Sequence, residues 1–208
     1  MSPVTELQDV LWGEQIILRP ANLGFSPDEL RLRYLWSKNE ELQYWSGSIP
    51  SGRTFDEFER MLPDRDWPAD GRRRSFAILD RRLRLIGMVS CYAVDWHRRT
   101  GELGVYLGDR ECWGQGAGTD AVSTLLRHLF ADLHFECVSL NTYATNNRAL
   151  RSYAKVGFQR VSTRRRFRPS VGYYREVRME LDRRMYLSLQ SRSRSLAGAL
   201  SASTAVGN

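Results

Sequence analysis

Apolar and polar positions alternate along Gly101-Glu102-Leu103-Gly104-Val105-Tyr106-Leu107 and stop at Gly108-Asp109, the pattern of a strand running into a turn. Further on, Ala121, Val122, Leu125, Leu126, Leu129 and Phe130 recur at helical spacing, with Thr119 and Asp120 in a polar first turn. Residues 137–142 read as another strand, and Asn146 to Gly157 as a short helix with an asparagine cap and a glycine stop. Upstream, 75–80 and 84–93 read as neighbouring strands joined by a basic turn at Arg81 and Arg82. Residues 55–62 read as a short helix followed by a loop punctuated by Pro63 and Pro68. A meander feeding strand, helix, strand, helix and strand predicts an α+β sandwich with a mixed sheet.

Between the strand at 101–107 and the helix after it lies Trp113-Gly114-Gln115-Gly116-Ala117-Gly118-Thr119. Glycines there let backbone N–H groups approach a ligand closely, and the unpaired N–H groups and dipole of a helix N-terminus attract phosphate. The same residues also serve as a plain glycine-rich connection. No Gly-Lys-Ser/Thr follows, which excludes a Walker loop, and the G-x-G-x-G spacing with no acidic residue closing the next strand excludes a Rossmann fingerprint.

This loop, followed by Asn146-x-x-Ala149-x-x-x-Tyr153-x-Lys155-x-Gly157-Phe158, resembles the two signatures of the GNAT N-acetyltransferase superfamily, in the family's order and spacing. The likeness extends over about residues 14–182 and is strongest to the branch of ribosomal-protein N-terminal and spermidine acetyltransferases. Gln15 to Pro20 is similar to that branch's first strand, Leu35 to Glu41 to its following helix, and Gly172 to Leu181 to its final strand. Where the family often begins its loop with Gln or Arg, this chain has Trp113, which removes a polar contact but leaves the backbone donors.

The resemblance implies a mixed, mostly antiparallel sheet flanked by helices, with acyl-CoA at splayed central strands. Acetyl-CoA would be the co-substrate and no metal would take part. Val105, Tyr106 and Leu107 would meet the pantetheine amides, Trp113, Gly114, Gln115, Gly116, Ala117, Gly118 and Thr119 the pyrophosphate, and Asn146 the pantetheine arm. Tyr153 would protonate the departing sulfur, a role suited to a phenol that is a donor at neutral pH. A core tyrosine is its structural alternative. For the base, Glu102 leads, with His97 or a water behind it; His128 is expected to face outward, and neither it nor His134 is given a role.

At 208 residues and 42% hydrophobic content the chain suits one domain, expected over 14–188, with an extension at 1–13 and a tail at 189–208. No apolar run reaches the length of a membrane span and residues 1–10 lack a signal-peptide pattern, so a cytoplasmic location is expected. Cys91, Cys112 and Cys137 lack metal or disulfide spacing.

The net charge of +7, with Arg72-Arg73-Arg74 and Arg164-Arg165-Arg166-Phe167-Arg168 read as turns, leaves open a basic RNA- or ribosome-associated module; a non-catalytic acyl-CoA sensor is the other alternative. The resemblance puts the acceptor wall between about Tyr34 and Asp70, where Trp36, Tyr44, Trp45, Phe55 and Trp67 stand among Glu40, Glu41, Asp56 and Glu57; the same residues would equally make an ordinary amphipathic helix pair, the reading favoured for any one of them. The basic charge favours a protein N-terminus or a small amine over a polyamine as acceptor; the protein is expected to be a monomer or homodimer with no membrane partner.

Overall fold

Ile16, Ile17 and Leu18 are buried in succession because β2 (Ile16–Pro20) lies in a sheet covered on both faces. The computed structural model describes residues 10–192 and Ser195; of the expected extension at 1–13 and tail at 189–208, residues 1–9, 193, 194 and 196–208 lie outside the described residues. Eight strands form one sheet in the order β1-β2-β3-β4-β5-β6-β8-β7. They are β1 (Leu11–Trp12), β2, β3 (Arg73–Asp80), β4 (Leu85–Asp95), β5 (Thr100–Leu107), β6 (Cys137–Tyr143), β7 (Gln159–Arg168) and β8 (Gly172–Asp182). All neighbours run antiparallel except β5 and β6. The expected mixed, mostly antiparallel α+β sheet is the one observed.

One face of the sheet packs on α4 (Ala117–Arg127) and α5 (Asn147–Lys155), around Leu125, Leu126, Phe130, Val138 and Tyr153. A helix at 183–192 joins this layer, with Tyr186 stacked on Phe130 at 4.7 Å, so 189–192 are helical where a tail was expected. The other face carries α1 (Pro27–Lys38), α2 (Glu40–Trp45) and α3 (Phe55–Asp66), over Ile17, Ala77, Met88 and Trp36. Capping boxes start α1 at Ser26 with Glu29 and α3 at Thr54 with Glu57, and Asn39 both ends α1 and caps α2.

Four local expectations are corrected. Pro63 lies inside α3, which runs on to Asp66, its helix held by burial of Phe58 and Leu62. Arg164 to Arg168 form part of β7 and not a turn; they escape detection because an edge strand exposed on both faces shows no apolar alternation. Arg74 is fully buried: its guanidinium lies 4.8 Å over Trp67 and donates to the carbonyls of Pro68 (3.0 Å) and Arg73 (2.7 Å). His128 points inward because α4 widens into a π-helical turn at His128–Asp132, and its Nδ1 lies 2.7 Å from an Asp132 oxygen.

The buried ion pair of Arg33 with Asp66 ties α1 to α3, and Arg65 Nε donates to the same carboxylate at 2.8 Å. Burial works against the Asp66 charge, and the guanidinium groups of Arg33 and Arg65 overcome it, holding the carboxyl below its usual range. Asp66→Ala would strand the Arg33 cation, which is 1% exposed. We expect a loss of about 3–5 kcal/mol in unfolding free energy by urea titration.

Candidate active site

Strands β5 and β6 pair only over Thr100↔Cys137, Gly101↔Val138 and Glu102↔Ser139. Beyond Glu102 they separate, and the β6-facing edge of β5 has no partner strand from Leu103 to Leu107. A cleft of about 400 Å³ occupies this parting. Its walls include Val105, Tyr106 and Leu107 from β5, Trp113, Gly114, Gly116, Gly118 and Thr119 from the loop and α4, and Asn146 and Tyr153 beside or on α5.

Two of the predicted loop residues stand off the walls. Ala117 is buried in the core, and the Gln115 side chain turns back to donate to the Glu111 carbonyl. Gly116 is the N-cap of α4 at φ +96, and no side chain caps the helix there, so its first-turn N–H groups face the loop unpartnered by a cap. A Cβ on Gly116 would stand 3.2 Å from Gln15 Nε2 in a backbone conformation that other residues rarely adopt.

Asp120, in the first turn of α4, accepts hydrogen bonds from the backbone N–H groups of Glu14 (3.1 Å), Gln15 (2.6 Å) and Ile16 (3.1 Å). Those bonds clamp the glycine-loop end of α4 to the start of β2. Trp113 closes the other side. Its indole N–H donates to the Leu107 carbonyl at 2.9 Å, and the guanidinium groups of Arg148 and Arg110 stand 3.9 Å and 5.3 Å from its ring centroid. Arg110 continues to Glu41 of α2 through an ion pair, so the tryptophan links strand, loop and acceptor-side helix.

Tyr153 is buried at the cleft wall with its ring edge-on to Phe158, and burial, aided by nearby Tyr92, pushes its phenol up to about 12. Among the described residues no side chain or backbone group hydrogen-bonds its hydroxyl. Asn146 caps α5 through the Ala149 N–H at 3.1 Å while also lining the cleft.

Glu102 stands one layer back from the cleft, behind two wall residues that the sequence reading missed. Asn141 donates to it at 3.2 Å, and Tyr92, its cross-strand partner, is pushed up to about 12 by burial and by the carboxylate. The Tyr92 ring lies across Gly104, where a Cβ would meet it at 3.2 Å. His97 is exposed in the turn joining β4 to β5, outside the cleft walls. Also missed were Arg148 and Arg151, cations on the cleft wall, and the 2.7 Å bond between the Thr119 and Ser152 hydroxyls that joins α4 to α5.

On the acceptor side only Leu42, Trp45 and Ser46 of the α2 region reach the cleft. Trp36, Phe55 and Trp67 pack instead on Tyr106, Tyr34 and Phe76, Glu57 caps α3, and Glu41 is held by Arg110. No group of side chains among the described residues has the composition of a metal site.

The acetyltransferase (GNAT) domain family matches residues 15–159. The chain belongs to the GNAT acetyltransferase family. Human alpha/beta-tubulin-N-acetyltransferase 9 is 26% identical over 167 residues, covering 74% of this chain and 77% of the relative. A prophage-derived N-acetyltransferase of Bacillus subtilis is 29% identical over 91 residues, 43% of this chain and 50% of that protein. The fold is similar to that of a spermidine N-acetyltransferase from Vibrio cholerae solved with CoA and spermine, at TM-score 0.73 and 22% identity over 83% of this chain and 98% of that one. Among the described residues no helix of this GNAT acetyltransferase is long and apolar enough to cross a membrane.

The Asp120 clamp sets the loop of this acetyltransferase. Asp120→Ala should lower unfolding free energy by about 2–3 kcal/mol in urea titration, and Asp120→Asn, which retains an acceptor oxygen, by about half as much.

Proposed function

We propose that this protein transfers an acetyl group from acetyl-CoA to a primary amine, with Tyr153 as the general acid. The observation that carries the reading is one cleft that holds the glycine loop, the unpaired edge of β5 and the Tyr153 phenol together.

The residues present suit acyl-CoA. The α4 N-terminus offers uncapped N–H groups, and a Cβ on Gly114 would meet nothing within 4 Å, so the loop backbone is open to a bulky pyrophosphate. Arg148 and Arg151 add positive charge beside it. The free edge of β5 can pair with the amides of a pantetheine arm as an added strand would. Leu107 contributes its N–H side only, since its carbonyl already accepts from Trp113.

In the reaction the neutral amine attacks the thioester carbonyl, the C–N bond forms and the C–S bond breaks. Tyr153 gives its phenolic proton to the departing sulfur, and the proton that the nitrogen sheds on becoming an amide restores the phenol. Its elevated pKa keeps that proton in place throughout the physiological range, and the sulfur, held in a buried gap, accepts it without competition from solvent. The ammonium proton is lost beforehand to a water running between Tyr92 and Asn141 towards Glu102, which orients both. Of the relatives named above, one is a tubulin acetyltransferase and another a spermidine acetyltransferase, so polypeptide and small amines both occur among acceptors of similar proteins.

Tyr153→Phe should lower kcat by about 10²–10³ while the CoA dissociation constant, from calorimetry, stays within about twofold. Equal kcat in variant and parent would remove Tyr153 from the chemistry. Because the phenol is pushed up to about 12, kcat/KM should climb with amine deprotonation and show no alkaline decline by about pH 10, where an ordinary tyrosine would be half ionised. Glu102→Gln should leave that profile's plateau in place and shift its rising limb to higher pH.

A further inference from the structure

The segment 164–175, which turns β7 into β8, contains Arg164, Arg165, Arg166, Arg168 and Arg175 and no acidic residue. Glu176 neutralises Arg166 at 3.1 Å; Arg164, exposed, and Arg168, half-buried beside Tyr174 and donating to the Tyr143 hydroxyl at 3.1 Å, have no acidic partner among the described residues, while Arg165 and Arg175 pair with each other on the opposite face. Sheet register decides where this charge lies. Arg164 pairs with Glu176, Arg166 with Tyr174, Tyr143 with Glu176, and Asn141 with Arg178, so these side chains share one face of the sheet. Asn141 donates to Glu102 on that same face, which is the face carrying α2.

The surface between cleft and hairpin is aromatic, with part-exposed Tyr44, Trp45 and Tyr174 closing over the buried Tyr143. Trp45 lines the cleft, Tyr44 stacks on Tyr143 at 4.9 Å with planes 6° apart, and Tyr143 meets Tyr174 at 4.9 Å. A chain whose amine reaches Glu102 and Asn141 can therefore leave the cleft over this floor and arrive at the arginines. The path crosses three inter-strand steps, from β5 to β6, β8 and β7, or roughly 14 Å, which an extended peptide covers in about four residues.

We infer that the acceptor is the N-terminus of a polypeptide carrying acidic residues at about its third to sixth positions, docked on the β7–β8 arginines. The inference rests on the amine-acetylating reading and narrows it. A polyamine fits this exit poorly: it would bring its remaining cations up against uncompensated arginines, while the nearest carboxylates, Glu41 and Glu102, already face Arg110 and Arg178. Carboxylates on a peptide meet the opposite situation, with paired charge and an aromatic floor for the backbone.

The test compares peptides with one common N-terminal residue followed by Asp/Glu, Gly/Ser or Lys at positions three to six, with thiol release from acetyl-CoA as readout. The acidic peptide should show a KM about tenfold below the neutral one, an advantage that shrinks as salt rises. Arg164→Gln/Arg168→Gln should bring the acidic-to-neutral KM ratio close to one, with the melting temperature confirming the fold. A parallel anisotropy titration uses a fluorescent acidic peptide with a blocked N-terminus, so docking is read without turnover. Peptides acetylated irrespective of charge, or spermidine used with higher kcat/KM than any peptide, overturn the inference and leave amine acetylation standing. Tight docking of the acidic peptide, abolished by the double variant, with no thiol release from any amine, supports the docking surface and refutes the enzymatic reading instead. A single-stranded RNA that displaces the acidic peptide and binds tighter in the same titration would assign the hairpin to nucleic acid and overturn the inference.

Discussion

After three paired positions β5 and β6 part, and the chemistry of the molecule depends on that parting. A sheet interior leaves few backbone groups unpaired, because a buried N–H or C=O without a partner costs free energy comparable to a lost hydrogen bond. Here a central strand keeps one edge without a partner strand for five residues, Leu103 to Leu107, with the Leu107 carbonyl taken by the Trp113 indole. That edge is kept from closing by what fills the wedge from either side: the Tyr153 ring from the α5 layer and the Tyr92 ring lying across Gly104 from the other. The gap is thus a standing demand for a polar, strand-like ligand, with the Tyr153 phenol on its wall.

What surrounds the gap is arranged to stay put. Asp120 fastens the first turn of α4 to the β2 entrance with three backbone hydrogen bonds, the Thr119–Ser152 bond fastens it to α5, and Trp113 fastens the loop to the end of β5. A loop held in this way loses little further freedom when a ligand arrives, so more of the contact energy is retained as affinity. The tryptophan that replaces a polar loop residue therefore exchanges one direct contact for rigidity and for a cationic rim made by Arg110 and Arg148.

Most of the site was legible in the sequence because its signals are local. The strand before the glycine loop, the helix after it and the capped helix carrying Tyr153 each announce themselves within a dozen residues. The clamp was not legible, since Asp120 meets partners more than a hundred positions away and looks from its neighbours like an ordinary first-turn acid. Tyr92 and Asn141 were hidden for the same reason: their bearing on Glu102 follows from strand pairing, which a single sequence does not display. His128 was misplaced because helical periodicity assumes 3.6 residues per turn, and the π-helical turn breaks that count. For Trp36, Phe55 and Trp67 the sequence left a lining ring and a packing ring both open, since composition alone does not separate them, and the contacts make them packing.

Strand β7 ends the sheet, ten residues long and exposed along most of its length, with Val161 and Phe167 open to solvent. Such an edge is a template on which a second copy could add its own strand, the first step towards sheet-to-sheet aggregation. The arginines spaced along it prevent this: bringing two β7 edges together would set like charges side by side at inter-strand distance. Colloidal stability is thereby written into the same residues as the hairpin's charge. Neutralising them in bulk trades solubility for any change in recognition, which is why the edge tolerates so little apolar content elsewhere along its length.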